Sequence, residues 1–94
     1  MARRDIKVRI FTKEGCHLCE EAKELIYRVQ HSSPIHFELE EVDITSDVGI
    51  YERFKEEIPV IFIDGKKAFK YRLDEREFRR RLARAAHPTL SHRG

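Results

Sequence analysis

The sequence predicts an α/β domain in which helices cover both faces of a mixed four-stranded sheet. The apolar period alternates between two and about 3.6 residues, which indicates strands that alternate with helices. A helical connection after the first strand makes the first two strands parallel. Asp64-Gly65 marks a tight hairpin, so the last two strands are antiparallel. The predicted element order is β-α-β-α-β-β-α.

The first half of the chain is predicted to form a strand, a helix and a second strand. Apolar residues alternate with charged ones over residues 6–10 and again over residues 35–39. Between them, helical spacing relates Leu18, Ala22, Leu25, Ile26 and Val29. We expect this helix to end near His31, before Ser32-Ser33-Pro34. The apolar face switches over residues 41–44, which predicts a bulge or the end of the second strand there.

The second half contains two helix starts around a hairpin. Thr45, Ser46 and Asp47 are candidate N-caps for a short helix. The hairpin strands are expected over residues 60–63 and 66–71. Asp74 with Glu77 three residues later forms a capping box for the last helix, and Pro88 is expected to end it. The inner face of that helix is predicted to consist of Phe78, Leu82 and Ala85.

Length and composition favour one domain and exclude several classes of protein. The chain has 94 residues, of which 40% are hydrophobic, with only four Gly and three Pro, so it is neither collagen-like nor disordered. We expect the domain at residues 5–87, with flexible ends at residues 1–4 and 88–94. The 19 Lys and Arg nearly balance the 17 Asp and Glu, which gives no reason to expect nucleic acid or a membrane surface as a partner.

The two cysteines, Cys16 and Cys19, lie where the first strand is followed by the first helix. The unpaired N–H groups and the dipole of a helix start favour an anion, and such a site lowers a thiol pKa from about 8.5 to roughly 3.5–7.5. A pair three residues apart can also form a disulfide. We expect Cys16, nearer the helix end, to be the nucleophile and Cys19 the resolving thiol. With no other cysteine, no apolar signal sequence and no run of ~18 apolar residues, the expected location is a reducing cytoplasm.

Zinc is the main alternative for this motif, because His31 and His36 follow at nearly the spacing of a zinc finger. The predicted helix would separate Cys19 from His31 by roughly 18 Å, too far for one ion. His17 is expected to be an exposed residue that at most tunes the Cys16 thiolate, and Lys13 can act in the same way. The arginines at positions 79–81 are expected to form a solvated helix face.

Taken together, the motifs resemble those of a glutaredoxin-like member of the thioredoxin-fold superfamily. They are residues 12–19, Glu41-Val42-Asp43-Ile44, Ile58-Pro59-Val60 and Phe62-Ile63-Asp64-Gly65. The resemblance implies that Pro59 is a cis proline opposite the dithiol and that the Ile58 backbone pairs with substrate. It also implies that Lys13 contacts a substrate carboxylate. The glycine pair that usually precedes an acidic residue in glutathione-binding members is missing from residues 68–74.

We therefore expect a monomeric dithiol thiol–disulfide oxidoreductase without a tightly bound cofactor. Its expected partners are a disulfide-containing protein or low-molecular-weight thiol and an external reductant, with glutathione as a possible co-substrate. The substrate-binding candidates are Lys13, His17, Ile58 and Pro59. The alternative is a non-enzymatic thioredoxin-fold module that carries a metal or an iron–sulfur cluster, or that binds a partner through the edge at Pro59.

Overall fold

The structure, a computed structural model, describes residues 5–87, and the expected flexible ends lie outside the described residues. It confirms the predicted fold class and element order. The elements are β1 (Ile6–Thr12), α1 (His17–Ser32), β2 (Phe37–Asp43), α2 (Val48–Phe54), β3 (Val60–Ile63), β4 (Lys66–Lys70) and α3 (Glu75–Ala86), with a 3-10 turn at Ile44–Ser46. The strand order is β2-β1-β3-β4, in which β1 and β2 are parallel and the other neighbours are antiparallel.

One face of the sheet is covered by α1 and α3 and holds the larger core. From β1, Ile6, Val8 and Ile10 point to this face and are fully buried. The two helices contribute Ala22, Ile26, Val29, Phe78 and Leu82. Each of these side chains except that of Ala22 contributes roughly 1.5–3 kcal/mol when it leaves water. The apolar stripes predicted for α1 and α3 are thus confirmed, although Leu18, Leu25 and Ala85 are only half-buried.

Within residues 5–87, the opposite face is covered by α2 near the carboxyl end of β1 and by no other helix. Its cluster is built around Phe11, Ile44, Phe54 and Val60. The Phe11 ring stacks on that of Phe54, with centroids 4.6 Å apart. Towards the other end of the strands this face is charged and open to solvent, because the alternate residues there are lysine, arginine and glutamate.

The second strand runs on to Asp43, and no bulge interrupts its ladder with β1, which pairs Ile6 with Phe37 and Thr12 with Asp43. The strand end expected near this point is confirmed, whereas a bulge is not. The apparent change of apolar face in β2 arises because α1 covers one face of the sheet at this point and α2 covers the other. Val42 packs against the α2 cluster, and Glu41 remains on the α1 side, where it accepts a hydrogen bond from the Tyr27 hydroxyl. An irregularity in register lies instead between β3 and β4.

The turn and cap residues behave largely as predicted. Asp64 and Gly65 have φ of 50° and 83°, as a two-residue hairpin turn requires. Of the three candidate caps, Asp47 caps α2 through the Gly49 N–H. The Asp74 carboxylate accepts from the Glu77 N–H at 2.9 Å and so caps α3, which ends at Ala86; Pro88 lies outside the described residues. Within residues 5–87, no helix has the length and apolar character needed to cross a membrane.

Candidate functional site

A tight turn delivers Cys16 from the end of β1 to the start of α1. The Cys16 N–H donates to the Lys13 carbonyl at 3.2 Å, which closes a four-residue turn. Gly15 is the third residue of that turn and has a φ of +83°. No atom lies within 4 Å of a Cβ built there, so the backbone angle, and not lack of space, favours glycine.

Cys16 is the N-cap residue of α1, with its sulfur in the place that a cap oxygen usually takes. The Sγ atom accepts a hydrogen bond from the Cys19 N–H at 3.1 Å. This N–H is one of the donors that a helix start leaves without an intrahelical partner. A negative charge on Cys16 is therefore stabilised both by a direct donor and by the helix dipole.

The two cysteines differ in exposure although they form one pair. Cys16 is half-buried, whereas Cys19 has no exposed surface. Their Cα atoms are 5.2 Å apart and their sulfur atoms lie within disulfide-bonding distance. A reagent from solvent therefore reaches Cys16 first, and Cys19 reaches only its partner.

The Ile58-Pro59 peptide bond is cis, as the resemblance implies. Pro59 lies directly before Val60, which pairs with Phe11 near the end of β1, so the proline and the dithiol turn lie at the same edge of the sheet. The Tyr71 N–H donates to the carbonyls of Pro59 at 2.9 Å and Glu57 at 3.2 Å. Ile58, between these two acceptors, takes no part in the strand ladders.

Lys13 and His17 are both exposed. Lys13 lies on the side of the site that faces β2, and His17 lies at the start of α1. Hydrogen bonds from the backbone N–H and the hydroxyl of Thr45 hold the pKa of Asp43 below its usual value, and the charge of Lys13 lowers that pKa further. Asp43 is level with Thr12 in the β1–β2 ladder, next to Lys13. This flank of the dithiol is polar, and the sequence did not point to Asp43 or Thr45 as part of it.

The flank on the β4 side contains a small pocket of about 140 Å³, whose lining is part apolar and part polar. Its lining residues come from the first turns of α1 and from the loop after β4: Leu18, Glu21, Ala22, Leu25, Tyr71, Arg72 and Leu73. Tyr71 was expected to lie in the strand, but β4 ends at Lys70 and Tyr71 belongs to this loop. A larger hollow of about 560 Å³ lies by the charged part of the sheet, at the amino end of β1 and away from Cys16.

Three arginines of α3 form ion pairs on the helix surface. Arg79 contacts Glu75 at 2.9 Å, and both Arg80 and Arg81 contact Glu77. The hydrogen bond from Arg80 is the main cause of a lowered Glu77 pKa. These contacts agree with the predicted solvated face, and the absence of a nucleic-acid partner stays a prediction.

Among residues 5–87, no group of three or more His, Cys, Asp or Glu side chains is arranged to hold a metal ion. Cys19 and His31 both lie within α1, so one helix separates them as the sequence predicted. A site for zinc made of the two cysteines and the two histidines is therefore not formed.

Residues 7–83 match the glutaredoxin-like domain family, also designated DUF836. The chain belongs to this family. The glutaredoxin-like protein YDR286C homolog of Dictyostelium discoideum is 42% identical to it over 76 residues, which cover 77% of this chain and 70% of that protein. A family model and a relative of this similarity support a redox role for the cysteine pair.

Solved structures support the same fold. Protein Ne2328 from Nitrosomonas europaea is 29% identical, with a TM-score of 0.67 over 81% of this chain and 89% of that one. A mutant thioredoxin from Halobacterium salinarum is 11% identical, with a TM-score of 0.63 over 88% of this chain and 75% of that one. The second similarity shows the thioredoxin fold alone.

Proposed function

We propose that this glutaredoxin-like domain is a cytoplasmic, monomeric thiol–disulfide oxidoreductase that works without a tightly bound cofactor. The observation that carries the proposal is the position of Cys16. Cys16 is half-buried, and its sulfur caps a helix start by accepting a hydrogen bond from the Cys19 N–H, while Cys19 is fully buried. A thiol in that position is stabilised as the reactive thiolate, and its partner is placed for an internal second step.

The reaction consists of two thiol exchanges. The Cys16 thiolate attacks one sulfur of a substrate disulfide, the substrate S–S bond breaks, and the departing thiolate takes up a proton. The deprotonated Cys19 thiol then attacks Cys16 Sγ and releases the second substrate thiolate. Two electrons have then passed to the substrate, and the protein holds the Cys16–Cys19 disulfide. An external dithiol, or two molecules of a thiol such as glutathione, returns the pair to the reduced form.

Residues around the pair give the substrate its position in this proposal. The backbone of Ile58, beside cis Pro59, has no hydrogen-bond partner within residues 5–87 and is available to pair with an extended peptide at this edge of the sheet. On the opposite flank, the exposed ammonium group of Lys13 is available to a substrate carboxylate. The negative charge of Asp43 lies near it and partly neutralises it. His17, exposed on the first turn of α1, modulates the charge near Cys16 without contacting the reacting bond.

Single cysteine variants test the mechanism. Cys16→Ser should abolish the reduction of both a protein disulfide and a low-molecular-weight disulfide. Cys19→Ser should retain the first exchange and accumulate a mixed disulfide, which intact mass spectrometry detects. In the reduced wild-type protein, the alkylation rate of Cys16 should follow a pKa below the ordinary value of a cysteine thiol, because the helix start stabilises the thiolate. Reduction by Cys16→Ser at the wild-type rate would overturn the mechanism.

The same protein, purified without oxygen, distinguishes this proposal from a metal-carrying module. The proposal predicts colourless protein free of iron and zinc. Visible absorption with stoichiometric iron, lost in both cysteine variants, would instead support the cluster-binding alternative, because thiolates are the usual ligands of such clusters.

A further inference from the structure

Tyr71 has a backbone conformation that is unusual for a residue with a large side chain. Its φ is +70°, and the Arg72 N–H donates to the Lys70 carbonyl at 2.8 Å across it. A hydrogen bond between residues i and i+2, with a positive φ at the residue between them, defines the rare and strained classic γ-turn. Within residues 5–87, the other non-glycine residue of positive φ is Asp64, in a hairpin turn that requires it. Glycine would adopt the Tyr71 conformation without strain.

This strained residue lies at the end of the sheet that carries the dithiol turn. Its N–H donates to the Pro59 carbonyl, and the residue lines the pocket together with Leu18, which lies between the two cysteines in the sequence. Tyr71 is 46% exposed, and the Lys70 ammonium lies 5.4 Å from the centroid of its ring. Strain of this kind persists where the surrounding structure imposes it and is concentrated at sites of function.

The pocket that Tyr71 borders is small. A volume of about 140 Å³ is close to the roughly 150 Å³ of a cavity that holds one benzene ring, and well below the ~300 Å³ at which pockets for small-molecule ligands begin. Its walls are leucine, alanine and tyrosine, with Glu21 and Arg72 as the two charged residues of the lining. One leucine-sized side chain fits this volume, whereas a tripeptide such as glutathione is too large for it. The charged groups of glutathione would also lose water on entering the pocket, which is unfavourable.

We propose that Tyr71 is a specificity-determining residue that makes this dithiol prefer polypeptide disulfides, with a leucine-sized apolar side chain next to the attacked cysteine, over glutathione disulfide. The inference rests on the proposed function. An extended substrate paired with the Ile58 backbone passes between Pro59 and the first turn of α1. A residue adjacent to its cysteine then enters the pocket beside Tyr71, while the substrate sulfur meets Cys16.

Rates of mixed-disulfide formation test this directly. The background is the full chain with Cys19→Ser, and the probes are two peptide disulfides that differ only in leucine or glycine beside the cysteine, together with oxidised glutathione. We expect the leucine peptide to react about tenfold faster than the glycine peptide, the usual scale for filling an apolar pocket. Oxidised glutathione should be the slowest probe.

Variants of Tyr71 separate the ring from the backbone. Tyr71→Ala removes the ring and keeps a Cβ at the strained position, whereas Tyr71→Gly removes both. Each variant should reduce the preference for the leucine peptide to about twofold or less. Each should also raise the rate with glutathione disulfide relative to the peptides. Tyr71→Phe should keep the preference. Tyr27→Ala is the matched control, because Tyr27 is 40% exposed and contacts Glu41 instead of the pocket. Thermal unfolding of each variant verifies that it is folded.

The outcomes distinguish the two proposals. If no probe forms a mixed disulfide with the Cys19→Ser protein, the proposed function fails and this inference fails with it. If all three probes react at the same rate, the redox function stands and the role of Tyr71 is overturned. The same conclusion follows if the ratios between the rates do not change in the Tyr71 variants.

Discussion

The two faces of the sheet differ in what their residues accomplish. The face under α1 and α3 is largely apolar, and with the two helices it forms the larger of the two described core clusters, which has eleven buried residues. The face under α2 has a compact aromatic cluster at the end where β1 leads into Cys16, and exposed charges elsewhere. Most of the buried apolar residues therefore lie on one face, and we expect most of the stability to come from it. On the other face, the buried apolar residues are concentrated at the end of β1 that leads into the dithiol turn.

The largest effect should come from the centre of the first face. Phe78 is fully buried, and its ring lies edge-on to those of Phe37 and Phe69, at 5.8 and 6.3 Å. Phe78→Ala should lower the free energy of unfolding by about 3–5 kcal/mol, through lost burial and the cavity left behind. Urea denaturation measures this loss. The milder Phe78→Leu gives a folded protein for comparison if the alanine variant does not fold.

Phe54→Leu is the matched change on the second face. It disrupts the stack with Phe11, whose chain continues through Thr12 into the dithiol turn. The expected loss of stability is only about 1 kcal/mol, as for other substitutions that nearly conserve volume. The alkylation rate of Cys16 should nevertheless change more than in Phe78→Leu. An equal change in both leucine variants would contradict the division between the faces.

The sequence was sufficient where local chemistry alone decides the structure. The alternation in β1, the Asp64-Gly65 turn and the cap at Asp74 each depend on a few neighbouring residues, and all three are confirmed. The cysteine pair was recognisable for the same reason, since its spacing and its place after a strand are local features. Its roles could be proposed from the sequence alone.

Features that depend on distant residues were not predictable in this way. The apolar Val42 suggested a change of face, because the sequence does not reveal that α2 covers the opposite face at that point. Tyr71 belongs by composition to a strand, and only its hydrogen bonds with Glu57 and Pro59 place it in a strained loop. The proximity of Lys13 and Asp43 likewise follows from the register of β1 against β2.

A smaller effect is expected at the polar flank of the site, where Asp43 titrates below its usual pKa because of its hydrogen bonds to Thr45. A lowered folded-state pKa contributes stability above the unfolded pKa, and this contribution disappears as the pH falls through the folded value. The stability of wild type should therefore decrease more steeply below about pH 4 than that of Asp43→Asn. Titration of the Asp43 carboxyl by NMR checks the direction.

Lys13→Gln refines the same prediction. Removal of the lysine charge should move the Asp43 midpoint upward by less than the loss of the Thr45 hydroxyl in Thr45→Val, because the hydrogen bonds from Thr45 are the larger cause. A midpoint at the ordinary value of an aspartate in wild type, or one that falls in Lys13→Gln, would show that the flank is not organised in this way.

The smallest effect should come from the open, charged part of the α2 face. Arg9 Nε lies 2.8 Å from Glu40 Oε1, yet both side chains are more than half exposed. Solvent screens such a pair, so a double-mutant cycle with Arg9→Ala and Glu40→Ala should give a coupling of at most about 1 kcal/mol. The coupling should fall further in 1 M salt, where the Debye length is about 3 Å. A coupling of the size expected for Phe78→Ala would mean that this part of the face also holds the fold together, and the contrast between the two faces would fail.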